Sequence, residues 1–146
     1  MLVNRSASHS FKMITPETTP DEVIPARKPL RVLYADDMRQ LRELIVIVLG
    51  RDGHSVETAA NGEEAMEKIA SAVQAYDVII TDHHMPGING LELVTHIRSG
   101  TFEGKIIVFS SELSQAVDDA YRRLKVDHIL PKPIFPAQLR AVFSAL

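Results

Sequence analysis

Five short apolar runs punctuate the chain from Leu30 onward: Leu30–Ala35, Ser55–Ala59, Tyr76–Thr81, Lys105–Phe109 and Asp127–Leu130. Several are rich in Val and Ile, as strands buried on both faces of a parallel sheet are. Between them apolar residues fall at helical spacing: Leu41, Leu44, Ile45 and Val48, then Ala65, Ile69, Ala72 and Val73, then Leu93, Val94 and Ile97. A fourth stretch, Leu113, Ala116, Val117, Ala120, Tyr121 and Leu124, covers one helix face. The last, Leu139, Val142, Phe143 and Leu146, is opened by Pro136 at a first helical position. Asp37…Gln40, Asn61…Glu64 and Asn89…Glu92 each set a capping side chain three residues before Glu or Gln, which predicts three helix starts. Five strands alternating strictly with five helices predict right-handed βαβ units. The expected fold is α/β: a doubly wound, five-stranded parallel sheet of flavodoxin-like order 2-1-3-4-5 with helices on both faces.

Residues 1–29 break this rhythm. They hold Pro16, Pro20, Pro25 and Pro29 among many Ser and Thr, and sustain neither period. They read as an extended or flexible N-terminal tail, with the folded domain at 30–146. The chain's net charge of -3 argues against nucleic acid as a partner. The absence of cysteine excludes disulfides, thiolate nucleophiles and Cys-ligated metals, and suits a cytoplasmic protein. No apolar run approaches the roughly 18 residues of a membrane span, and no signal-peptide core is present, so no membrane partner is expected.

Ligands of such a sheet bind outside the carboxyl ends of the strands. The first run ends in Asp36-Asp37, the third in Asp82, the fourth in Ser110-Ser111 and the fifth leads into Pro131-Lys132-Pro133. Three carboxylates, a hydroxyl and an ammonium therefore converge on one crevice. Clustered carboxylates repel unless a cation is present, and a hard divalent cation such as Mg²⁺ suits oxygen ligands. A carboxylate beside such a cation can act as a nucleophile toward phosphorus. Lys132 and Ser110 would then serve as donors to the phosphoryl oxygens. No Gly-rich phosphate loop is present, so no nucleotide is indicated.

The acidic pair, the Asp-x-x-Met-Pro-Gly-x-x-Gly run from Asp82 to Gly90, the Ser after the fourth strand and the Lys-Pro after the fifth stand together in order and spacing. In these features the segment from about Leu30 to Leu146 resembles the receiver domain of two-component response regulators, of the single-receiver, chemotaxis-regulator kind. The resemblance implies that Asp82 accepts a phosphoryl group from a phosphohistidine on a sensor histidine kinase or histidine phosphotransfer protein. It implies Mg²⁺, or Mn²⁺ in its place, held by Asp37, Asp82 and the backbone carbonyl of His84, with Asp36 acting through water. It assigns Lys132 and Ser110 to the phosphoryl group, a cis peptide bond to Lys132-Pro133, and slow self-dephosphorylation as the only turnover. A homodimer through the fourth helix, fifth strand and fifth helix is the partner face it suggests, with Asp118, Asp119, Arg122, Arg123 and Arg140 as pairing charges. Two positions depart from the family pattern. Ile129 stands where an aromatic switch residue is usual, and Lys125 stands where glycine is usual, which predicts a different turn before the fifth strand.

Plainer readings accompany these. Asp37 alone reads equally well as the N-cap of the first helix. Only one of Ser110 and Ser111 needs a role. His83 and His84 invite a metal-hydrolase reading, but neighbours on an extended backbone point apart, which disfavours their gripping one ion. His54, His96 and His128 read as surface residues. Ile45-Val46-Ile47-Val48-Leu49 is more apolar than one buried face requires, so it marks either a deeply buried helix or an exposed strip for a partner helix. Two functional rivals remain: an aspartyl-phosphate-forming hydrolase of small phosphoesters, which usually has a second acid where His84 stands, and a degenerate receiver acting as a protein-binding scaffold. No output module follows the fifth helix, so the chain reads as a stand-alone receiver or a part of a larger regulator.

Overall fold

The computed structural model of the chain describes residues 28–111 and 114–146. The tail reading for 1–27 and the placement of Leu113 on a helix face lie outside the described residues. Elements alternate as the pattern predicts: β1 (Arg31–Ala35), α1 (Arg39–Arg51), β2 (Ser55–Ala59), α2 (Gly62–Ser71), β3 (Val78–Asp82), α3 (Gly90–Arg98), β4 (Lys105–Ser110), α4 (Gln115–Arg123), β5 (His128–Pro131) and α5 (Pro136–Ser144). The five strands pair in parallel in the order β2-β1-β3-β4-β5.

Strand side chains alternate between two cores. Val32 and Tyr34 of β1, Val78 and Ile80 of β3, and Ile107 and Phe109 of β4 pack with Ile45, Val48 and Leu49 of α1 and Leu139 and Phe143 of α5. Leu33 and Ala35, Ile79, and Ile106 and Val108 face the other way, onto Ala65 of α2, Leu93, Val94 and Ile97 of α3, and Tyr121 of α4. The sheet is thus covered on both faces, and only its strand ends remain for chemistry.

Boundaries differ from the apolar runs where a side chain takes over a ladder bond. β3 starts at Val78 rather than Tyr76, because Asp77 turns its carboxylate to accept the Arg31 N–H (2.8 Å). Leu30 precedes β1, its N–H donating to His54 Nδ1 (3.1 Å). His54 is therefore half-buried, against Phe143, and His128 is half-buried in β5, whereas His96 is exposed. Two of the three predicted caps form. Asn61 accepts the Glu64 N–H, and Asn89 and Glu92 make a reciprocal capping box. The third does not: α1 is preceded by Met38 without a side-chain cap, and Asp36 rather than Asp37 accepts a nearby N–H, that of Met38 (2.8 Å). Such a bond two residues on is the short-range geometry open to an aspartate before a helix.

The turn before β5 is also corrected. Lys125 has φ 59, the left-handed conformation that glycine supplies most easily, so the turn is a glycine-type turn carrying a lysine. Arg98 holds it by donating to the carbonyls of Leu124 and Lys125 (both 2.9 Å).

Candidate functional site

Four strand ends deliver the site. Asp36 follows β1 and is fully buried, and Asp37 beside it is exposed. Asp82 and Ser110 are the last residues of β3 and β4, both buried. Lys132 follows β5, its N–H donating to the Ser110 carbonyl (2.8 Å), and its bond to Pro133 is cis. The Lys132 ammonium bridges two carboxylates, 3.1 Å from Asp82 Oδ1 and 3.3 Å from Asp36 Oδ2. Oxygens of Asp36, Asp37 and Asp82 all lie within 4.8 Å of one another. Asp36, Asp37, Asp82 and Lys132 thus meet at one place, and Ser110 ends the neighbouring strand, its carbonyl bonded to the Lys132 N–H. His84 joins Asp37, His83, Met85, Pro86 and Gly87 along the groove at its mouth.

The charge balance is strained. Burial raises the Asp82 carboxyl above its ordinary value, Asp36 raises it further, the Lys132 contact opposes, and Asp37 adds to the rise. One ammonium faces three carboxylates. A hard divalent cation would relieve this excess, and an all-oxygen donor set is the kind that Mg²⁺ accepts. Ser110 Oγ supplies an independent sign of a missing acceptor. It is buried and has no hydrogen-bond partner among the described residues, a condition that usually costs about 1–3 kcal/mol. Ser111 is exposed, so Ser110 is the hydroxyl that matters.

Other placements correct the sequence reading. His83 and His84 do not point apart; their rings meet edge-on with centroids 4.7 Å apart. Even so, the ligand cluster found among the described residues contains only the three aspartates. Ile129 is half-buried against the α2–α4 core. Arg140 leaves the proposed dimer charges, since it pairs with Asp52 beyond α1 (3.0 Å), and Arg122 is taken up by Asp118 on its own helix (2.8 Å).

Three contacts were missed. Tyr34 donates its hydroxyl to Asp36 Oδ2 (2.6 Å), and the signal was present, since residues two apart on a strand share a face. Arg42 of α1 donates to the Asp36 carbonyl (2.7 Å). Tyr121 Oη and His83 Nδ1 share a 2.6 Å hydrogen bond, both residues being buried. Burial, then the neighbouring His84, lowers the pKa of His83, while burial, then Asp82, raises that of Tyr121. Both shifts favour the uncharged forms, and the tautomer of His83 sets which partner donates. Gly90 makes room for it: a Cβ there would stand 2.7 Å from Tyr121 Oη and 2.9 Å from His83 Cα. No single helical or strand period reveals a contact between residues 38 positions apart.

The sequence model of the response regulator receiver domain matches residues 32–144. The response regulator MprA of Mycolicibacterium vanbaalenii is 36% identical over 118 residues, which are 81% of this chain and 50% of MprA. The sensory/regulatory protein RpfC of Xanthomonas campestris is 30% identical over 116 residues, 77% of this chain and 16% of RpfC. This chain therefore spans half, or less, of the length of these relatives. Among solved structures, the chemotaxis protein CheY4 of Vibrio cholerae superposes with a TM-score of 0.73 at 31% identity, covering 81% of this chain and 98% of CheY4. A response regulator receiver protein from Pseudomonas putida gives 0.76 at 25% identity, covering 83% and 100%.

Proposed function

This chain belongs to the response regulator receiver domain family, the phosphoacceptor module of two-component signalling, and on that premise we propose that Asp82 is the residue that takes the phosphoryl group. The observation that carries this is the Lys132 bridge: the ammonium contacts Asp82 and Asp36 together, and the buried Ser110 hydroxyl at the end of the next strand has no partner among the described residues. An Asp82 oxygen attacks the phosphorus of a phosphohistidine. The P–N bond breaks, its electron pair returns to the imidazole, and an acyl phosphate forms on Asp82. Lys132 and Ser110 donate to the phosphoryl oxygens. Asp37, Asp82 and the His84 carbonyl would hold Mg²⁺ or Mn²⁺, with Asp36 through water, and the ion supplies charge neutralisation.

The finer partner readings follow from exposure. Ile47 of α1 is 57% exposed, Val46 beside it is also exposed, and Met38, just before the helix and next to Asp37, is 51% exposed. This apolar strip supports docking of a sensor histidine kinase or histidine phosphotransfer protein there. The α4-β5-α5 face is proposed as the homodimer surface, resting on Asp119 and Arg123, the α4 charges that no ion pair among the described residues takes up. Residues 30–146 carry more acids than bases, which supports the absence of a nucleic-acid partner, and among the described residues no helix is long and apolar enough to cross a membrane. We place the protein in the cytoplasm, as a regulator rather than a hydrolase, since His84 stands where a hydrolase would carry its second acid. The test is a mass measurement after mixing with Mg²⁺ and a small phosphodonor. Wild type gains one phosphate and Asp82→Asn gains none; a stoichiometric gain in Asp82→Asn overturns the assignment.

A further inference from the structure

Asp36 lies close enough to Asp37 and Asp82 for distance alone to admit it as a third direct metal ligand. What withholds it is its own set of donors. Oδ1 accepts the Met38 N–H at 2.8 Å. Oδ2 accepts the Tyr34 hydroxyl at 2.6 Å, and the Lys132 ammonium stands 3.3 Å away on the same oxygen. Lys132 sits on a flexible stem and is shared with Asp82, so it can leave. Tyr34 cannot. It is fully buried in β1, an interior strand, its ring tilted against Phe109 with centroids 5.4 Å apart. A carboxylate oxygen only accepts, so in this contact the phenol donates.

We propose that Tyr34 is a positioning residue that sets metal specificity: by occupying Asp36 Oδ2 it keeps that carboxylate out of direct ligation and so suits the site to Mg²⁺ over Ca²⁺. This rests on the metal-site reading given above. Mg²⁺ typically takes one or two carboxylates and keeps several waters, whereas Ca²⁺ takes six to eight oxygens in a looser arrangement. A third carboxylate, once free to swing in, therefore favours the larger ion. Partners that orient ligands in this way commonly change metal affinity roughly 10–100-fold when removed.

The experiment is calorimetric titration of the metal-free protein with MgCl₂ and with CaCl₂, in wild type, Tyr34→Phe and Asp37→Asn, each first shown to melt cooperatively. Tyr34→Phe is expected to raise the Ca²⁺-to-Mg²⁺ affinity ratio by roughly tenfold. An unchanged ratio in the folded variant overturns the proposal while leaving the metal site standing. Asp37→Asn should lose Mg²⁺ affinity by a similar factor; undiminished binding there, or no binding to wild type, overturns the metal-site reading and the Tyr34 assignment with it. If Tyr34→Phe does not fold, the wild type answers by NMR. The Tyr34 hydroxyl proton should stay slow to exchange in saturating Mg²⁺. Its loss into fast exchange on Mg²⁺ binding means Asp36 has released it, and overturns the proposal.

Discussion

Two fully buried tyrosines approach the acidic crevice from opposite faces of the sheet. Tyr34 rises within β1 and ends on Asp36, a charged acceptor, in the core shared with α1 and α5. Tyr121 reaches inward from α4 and ends on the His83 imidazole, next to Asp82, in the core shared with α2 and α3. The walls behind them differ in grip. α1 buries Ile45, Val48 and Leu49, whereas Tyr121 is the one buried residue of α4. Few buried apolar contacts mark a segment of low local stability. The β1-α1 wall is thus the more deeply buried, while α4 is fixed by Tyr121, whose far end touches the loop after Asp82, with Val117 and Leu124 only partly buried beside it. A phosphoryl group on Asp82 would act on the second wall.

The largest effect tests that asymmetry directly. A hydrogen bond from Ser110 to the phosphoryl group is charge-assisted and amounts to roughly 1.5–3 kcal/mol, about a ten- to hundredfold bias on a two-state element. Amide exchange over Ser114–Leu124 should change by up to that factor with a phosphoryl mimic bound, and α1 should not respond. Equal change in both helices, or an undiminished response in Ser110→Ala, breaks the comparison. Ile129, lacking a ring, should only repack.

Gly90→Ala comes next. Its methyl would meet the Asp82 carbonyl, the Tyr121 hydroxyl and the His83 backbone together, and overpacking of this kind costs about 1–3 kcal/mol. Denaturant melting should show that loss, and combination with Tyr121→Phe should lessen it, because one of the obstacles is gone. The two tyrosines should separate by the charge of their partners. Tyr34→Phe strips a donor from a buried carboxylate, about 1.5–3 kcal/mol, while Tyr121→Phe breaks a hydrogen bond with an imidazole, about 0.5–1.5 kcal/mol. The reverse order in chemical denaturation would mean that α4 is the better anchored wall.

The smallest effect is on pH dependence. Asp82 titrates above its ordinary 3.8 in the fold, chiefly through burial. Between the two values the folded chain binds more protons than the unfolded one, so stability falls as pH rises through that window, and the penalty on the charged form persists above it. Metal-free Asp82→Asn should therefore melt higher than wild type at pH 7, and the gap should close as pH falls toward 3.8. A lower melting temperature for Asp82→Asn at pH 7 would show that the Lys132 pairing outweighs burial.

Much of the site was readable because its residues sit at strand ends, which the apolar runs mark. Asp36, Asp37, Asp82, Ser110 and Lys132 each follow a run, and a doubly wound sheet brings all such ends together. The reading failed where two side chains compete for one role. Asp37 and Asp36 are both acids before a helix, and only the folded backbone decides that Asp36 takes the Met38 N–H. It failed again at Lys125, where residue type argued for another turn and the two bonds from Arg98 impose the left-handed one.

By itself the sequence determined the order of elements, the parallel sheet and the identity of the strand-end groups, because hydrophobic period and chain alternation are local properties that survive without knowing what touches what. Only the tertiary structure decided which oxygen of Asp36 is occupied, that His83 binds a tyrosine of α4, that Ser110 rather than Ser111 is the buried hydroxyl, and that Ile47, Met38 and Phe135 remain exposed. Those outcomes depend on distances of a few ångströms between residues far apart in the chain. Packing sets such distances, and no periodicity along a single segment encodes them.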